Sequence, residues 1–189
     1  MSEEPITWLR VPADGELPPE VLELQEAPLE KLGFVPNVLR VYALRPSHLL
    51  RWNDHYEELM KGDSGLSRAE REMIAVVVSV ANRCRYCIAA HSAALRKLTK
   101  DPELADSVAA DHASAPVEPR VRAMLDYAVK LTLRPAAMSE ADVDALRDAG
   151  WTDEDVMDIA EVTGMFNLTN RMASGLGWVP NPEFDALGR

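Results

Sequence analysis

Apolar positions along this chain recur at helical spacings, and no stretch alternates with a period of two beside hairpin signals. The clearest pattern is central, in "LSRAEREMIAVVVSVANRCRYCIAAHSAALRKL". Ser67 followed by Glu70 three residues later predicts a capping box and a helix start. "MIAVVVSVA" is apolar on every side, which predicts a buried helix, although its valines also suit a strand. The capped start and the length, Ser67 to about Ala81, favour helix. Asn82-Arg83 offers a turn, and a second helix starts at or near Cys84 and runs to about Leu98, its alanines favouring helix.

The flanks read the same way. Gly33 and Pro36 predict a turn, a short helix follows from Asn37, and another runs from about Ser47 to Lys61 before "KGDSG". Pro102 begins a short segment, and Pro119 opens a helix with Val121, Met124, Leu125, Ala128 and Leu131 on one stripe. Ser139 caps "SEADVDALRDAG" with Gly150 as its stop. Thr152 caps a long helix ending near Gly175 or Gly177. The fold class is all-α, and the central pair forms an antiparallel helix hairpin.

Residues 1–35 form a proline-punctuated arm, and 36–189 a single helical domain. The arm carries Ile6, Trp8, Leu9, Val11, Leu17, Val21, Leu22, Leu24 and Leu29 among five prolines, too irregular for a core of its own. Apolar residues at that density do not stay in water, at about 25 cal/mol per Å². The arm therefore packs on its own domain or wraps a second copy, and a homodimer or higher homo-oligomer is expected.

The 189 residues hold 20 Lys+Arg against 31 Asp+Glu, a net charge of −11. That argues against nucleic acid and against an anionic membrane surface, both of which reward clustered positive charge. No apolar run is long enough to span a bilayer. "MSEEPITWLRVP" lacks the basic start and apolar stretch of a secretory signal, so a cytoplasmic setting is expected. The two cysteines cannot staple a chain of this length, and in that setting a C-x-x-C pair reads as redox or metal chemistry.

Those cysteines, Cys84 and Cys87, stand in "CRYCIAAHSAAL" with His91 four residues on. Spacings of three and four place all three on one helix face. The helix N-terminus stabilises a thiolate in its first turn, and His91 lies one turn from Cys87 but two from Cys84. A positioned base delivers typically 10²–10⁴-fold, whereas the dipole contributes about 0.3–1 kcal/mol. Cys87 is therefore expected to be oxidised first, and Cys84 to close the disulfide. Glu72 lies among apolar neighbours, an expensive place for an unpaired carboxylate. It stands about ten residues before the turn and His91 about eight after it. The pair can therefore meet across a hairpin and fix the imidazole tautomer.

Glu72-x11-Cys84-x-x-Cys87-x-x-x-His91 resembles the signature of the AhpD-like alkylhydroperoxidases within the carboxymuconolactone decarboxylase superfamily. "GFVPNVLRVYALRP" and "FNLTNRMASGLG" are similar to its peroxidase-related branch, so the resemblance covers about residues 30 to 180. It implies an all-helical homo-oligomer that reduces a small hydroperoxide through a cofactor-free thiol cycle. By position, Cys87 corresponds to the thiol oxidised to sulfenic acid, Cys84 to the resolving thiol and proton donor, and Glu72 with His91 to the relay. The reductant of the best-studied members is a lipoyl-bearing protein, so a dithiol or lipoyl-type partner is implied. Those members carry a second histidine immediately before the second cysteine, and this chain has Tyr86 there.

Other readings of the same residues stay open. Buried cysteines can serve as small hydrophobes, and Cys, Cys, His and Glu are all zinc ligands. A carboxymuconolactone-decarboxylase-like enzyme acting on a small cyclic acid, or a redox-sensing oligomer without turnover, would use the same framework. His48, His55 and His112 read as surface residues. Asn167, Asn170 and Arg171 share a late helix face that lines a pocket or an interface, or is simply a satisfied polar end. Trp8, Trp52, Trp151 and Trp178 read as packing anchors. No glycine-rich phosphate loop points to a nucleotide, flavin or nicotinamide.

Overall fold

The computed structural model describes residues 5–189, and among them every regular element is helical. In order these are α1 (Pro19–Leu32), α2 (Asn37–Tyr42), α3 (Pro46–Lys61), α4 (Arg68–Ala81), α5 (Arg85–Thr99), α6 (Pro102–Asp111), α7 (Pro119–Leu133), α8 (Glu140–Asp148) and α9 (Asp153–Gly175). Short 3-10 turns occur at Asp14–Glu16, Pro135–Ala137 and Pro182–Asp185.

Helix α4 is the axis of the core. The Glu70 N–H donates to Ser67 Oγ at 3.2 Å and the Ser67 N–H donates to Glu70 Oε2 at 2.7 Å, which closes the capping box. Every residue from Arg71 to Ser79 is buried, because α5, α6, α7 and α9 all pack on this helix. The valines that suited a strand are thus covered on all sides. Burying such a side chain stabilises by about 1.5–3 kcal/mol, more than the ~0.7 kcal/mol that helix propensity withholds. Arg71 is buried too. Its guanidinium donates to the carbonyls of Leu59, Gly62 and Leu66, which fixes the loop between α3 and α4.

Residues 82–84 connect α4 to α5. Arg83 adopts a left-handed conformation with φ 55°, uncommon for a residue with a Cβ. Helix α9 holds this turn: the Asn82 amide donates to the side-chain oxygens of Asn167 and Asn170, both at 3.0 Å. Asn170 in turn donates to Ser79 Oγ at 3.1 Å. Buried amides without such partners would cost about 1–3 kcal/mol each.

The described part of the arm packs on its own domain. Val21 is buried with Leu39, Ala43 and Leu49. Farther out, the Trp8 N–H donates to the Leu176 carbonyl at 3.1 Å and the Val179 N–H to the Ile6 carbonyl at 2.9 Å. Asn37 and Asn181 complete the tie, with the Asn37 N–H donating to Asn181 Oδ1 at 2.7 Å. The first four residues of the arm lie outside the described residues. Trp151 and Trp178 are buried, but Trp8 is 78% exposed. Its indole lies over Gly177, where a Cβ would fall 2.3 Å from the ring, so only glycine allows this approach.

Candidate active site

The packing of α4 on α5 brings Glu72 and His91 together across nineteen residues of chain. His91 Nδ1 hydrogen-bonds Glu72 Oε2 at 2.7 Å, and both side chains are largely buried, 12% and 8% exposed. A carboxylate accepts only, so Nδ1 is the nitrogen that donates here and Nε2 is the one this bond leaves free. The Phe166 ring stands edge-on to the imidazole, centroids 4.5 Å apart, and braces that orientation.

Cys84 is the N-cap of α5, and its sulfur accepts the Cys87 N–H at 3.4 Å. Both cysteines are free thiols with 1% exposure. The Cys87 thiol hydrogen-bonds the Cys84 sulfur, and this more than any other contact lowers Cys84 to about 7 against the opposing effect of burial. The Cys87 N–H, Ser174 and the His91 imidazole add to the lowering. Cys87, whose proton Cys84 holds in that hydrogen bond, is pushed far above the ordinary thiol range, and burial adds to the rise. The two sulfurs thus form a coupled pair sharing one proton, and the hydrogen bonds to Cys84 favour the charge on that sulfur. Weighing His91 against the helix dipole favours proton removal at Cys87; the contact between the sulfurs, which spacing alone does not reveal, couples that proton to Cys84.

Each thiol faces its own cavity. Cys87 and His91 line one of about 630 Å³, whose wall mixes the rings of Trp52, Tyr56, Tyr86 and Phe166 with aliphatic side chains and charged ones such as Lys31 and Glu57. Trp52 stacks between Tyr42 and Tyr56, with centroids 5.2 Å and 5.3 Å away. Cys84 lines a second cavity of about 330 Å³, together with Trp8, Arg83, Arg85, Ser174 and Gly177. Tyr86 belongs to both walls. Its ring meets Trp178 and Phe184 edge-on, and its hydroxyl accepts the Val38 N–H at 3.0 Å. The residue that replaces the expected histidine thus ties α5 to α2.

The remaining candidates fall elsewhere. His48 and His55 are exposed, while His112 is partly buried and has a partner the sequence did not suggest, Asp126 at 3.1 Å. Among the described residues no three His, Cys, Asp or Glu side chains are grouped so as to hold a metal ion. Asn167 and Asn170 brace the cysteine turn, and Asn170 partly offsets the rise of the Cys87 thiol. Arg171 bonds back to Asn167 at 2.7 Å. Sequence reasoning missed Arg71; a lone arginine beside a capping box gives no hint of three carbonyl partners.

The model of the carboxymuconolactone decarboxylase family matches residues 46–130, which hold Glu72, both cysteines and His91. A search of curated proteins gives no match. Among solved structures, the alkylhydroperoxidase AhpD core of an uncharacterized peroxidase-related protein from Ralstonia eutropha JMP134 is 44% identical. The alignment covers 98% of each chain with a TM-score of 0.95. An uncharacterized peroxidase-related protein from Silicibacter sp. TM1040 is 46% identical over 100% of both chains, with a TM-score of 0.94. The debrominase Bmp8 shares the fold alone, at 17% identity and a TM-score of 0.81 over 96% of this chain and 95% of its own. By its near-complete match to these peroxidase-related structures and by the family model over its centre, the chain belongs to the carboxymuconolactone decarboxylase family, among its AhpD-like proteins.

Proposed function

We propose that this protein is a cofactor-free thiol peroxidase that reduces an organic hydroperoxide and cycles between dithiol and disulfide. One observation carries the reading: Cys87 and His91 line the same largely apolar cavity, while Cys84 Sγ accepts the Cys87 N–H and so stands beside it. The peroxidase-related relatives support it.

The resting pair holds one thiolate and one thiol. The Cys87 sulfur attacks the terminal oxygen of a hydroperoxide bound in the larger cavity, and its proton moves to the Cys84 thiolate. As the S–O bond forms and the O–O bond breaks, His91 Nε2 takes the hydroperoxide's proton and hands it to the departing alkoxide. Glu72 keeps Nδ1 protonated, and so keeps Nε2 free for that transfer. The Cys84 sulfur then attacks the oxidised Cys87 sulfur, its proton passes to the sulfenate oxygen, and the S–O bond breaks to release hydroxide. Summed, one thiolate, one thiol and one hydroperoxide give a disulfide, an alcohol and hydroxide.

Consumption of cumene hydroperoxide with dithiothreitol as reductant tests this. Wild-type protein should turn over many equivalents, and Cys87→Ser should fall to the uncatalysed rate. Equal rates in the two proteins would remove the catalytic claim.

A further inference from the structure

Two cavities meet at the cysteine pair, and the mechanism above uses only one of them. The second contains Cys84 but neither Cys87 nor His91. At about 330 Å³ it fits a small molecule. Its rim carries the exposed guanidinium-bearing residues Arg83 and Arg85, on either side of Cys84 in sequence. Neither forms an ion pair among the described residues, although the chain's net charge is −11. The exposed Trp8 indole, held over Gly177, forms another wall. A concave site with two uncommitted guanidiniums beside a reactive sulfur suits a ligand that carries carboxylates and a thiol.

We propose that this second cavity is the entry port of the reductant, a low-molecular-weight thiol bearing carboxylate groups, so that oxidant and reductant reach the dithiol from different cavities. The inference rests on the thiol cycle proposed above. The incoming thiolate attacks Cys84 Sγ, an S–Cys84 bond forms, and the Cys84–Cys87 bond breaks with its electron pair leaving on Cys87. A second thiolate attacks the ligand's sulfur in this mixed disulfide. That releases a small disulfide and restores the Cys84 thiolate. Two reductant thiols are thereby oxidised for each protein disulfide reduced. Attack at Cys84 also makes Cys87 the leaving group, next to the His91 that can manage its proton.

The test separates this idea from peroxidase activity, because diamide closes the disulfide without any hydroperoxide. Reduction of the diamide-oxidised protein is followed by stopped-flow tryptophan fluorescence, with mercaptosuccinate, neutral 2-mercaptoethanol and cationic cysteamine compared at equal thiolate concentration. Wild type should prefer mercaptosuccinate over 2-mercaptoethanol by roughly tenfold, and disfavour cysteamine, at low salt. Arg83→Asn with Arg85→Gln should abolish that preference while leaving the 2-mercaptoethanol rate unchanged; asparagine tolerates the left-handed turn. Each single variant, with its fold checked by circular dichroism, should lose part of the preference. Acid quenching midway should trap the mercaptosuccinate adduct on Cys84. Equal rates for the three thiols in wild type, a preference that survives the double substitution, or an adduct on Cys87 would each overturn the proposal. A protein that diamide cannot oxidise to the disulfide would overturn both the port and the thiol cycle, whereas oxidation by diamide without peroxide turnover would count against the peroxidase reading alone.

Discussion

At the residue scale, the proposed function rests on how two sulfurs share one proton. The Cys87 thiol donates to Cys84, and the Cys87 N–H adds a second donor at the helix start. A group lowered by such donors is charged above its shifted value and neutral below it. Alkylation of Cys84 by iodoacetamide should therefore rise with pH through a midpoint near 7. Cys87→Ala removes the leading cause of the lowering and should move the midpoint upward, towards the ordinary thiol value of about 8.5. An unchanged midpoint in that variant would assign the lowering to the helix N-terminus. The meeting of Glu72 with His91 was legible from the sequence, because the two stand at similar distances on either side of one turn. So was the shared face of Cys84, Cys87 and His91, because spacings of three and four lie on one side of a helix. The direction of the sulfur–sulfur hydrogen bond was not legible, since it depends on side-chain rotation within one turn. Tyr86 was visible as a departure from the family's pattern, but its Val38 partner lies 48 residues away, beyond the reach of local pattern.

At the scale of elements, α4 and α5 work as one unit. Their packing places a carboxylate from one helix on an imidazole from the other, and α9 clamps the turn between them through Asn167 and Asn170. Gln in place of Glu72 preserves the volume but removes the carboxylate that holds the Nδ1 proton; with its amide N–H turned to Nδ1 the proton shifts to Nε2, which can no longer accept one. Glu72→Gln should retain the fold by circular dichroism and lose roughly 10²-fold in kcat for cumene hydroperoxide, within the range a positioned base supplies. A loss below about threefold would mean that His91 does not need the Glu72 carboxylate to act. Helix starts were readable where a cap announces them, as with Ser67 and Thr152, since a cap is a local hydrogen bond. The tie from α9 to the turn was not readable, because Asn167 and Asn170 reach partners 85 to 91 residues away.

At the scale of the whole molecule, the arm resolves part of its own apolar burden. Val21 is buried against α2 and α3, and residues 6–8 pair with 176–179 near the C-terminus. Trp8, Leu9 and Leu29 nevertheless remain exposed, at 78%, 41% and 51%. Leu133, Met157 and Leu168 add further exposed apolar surface on other helices. We expect the full-length chain to form a homodimer or larger assembly that covers part of this surface. Light scattering at micromolar concentration should give at least twice the 20.9 kDa chain mass; a monomer would refute that. The sequence showed the arm's apolar density but not which residues stay outside. Trp8 looked like a packing anchor, and its exposure follows from the glycine beneath it, a contact across 169 residues.

The central claim is that Cys87 meets the oxidant and Cys84 serves it first as base and then as resolving thiol. Trapping with dimedone during exposure to cumene hydroperoxide tests it most directly. Cys84→Ser cannot close a disulfide, so its sulfenic acid should persist and appear as a dimedone adduct on Cys87. It should form more slowly than wild type is oxidised, because the thiolate that accepts the proton is gone. Cys87→Ser should give no such adduct. If Cys84→Ser stays unlabelled while Cys87→Ser carries the adduct on Cys84, the resting thiolate is itself the attacking group and the account is reversed.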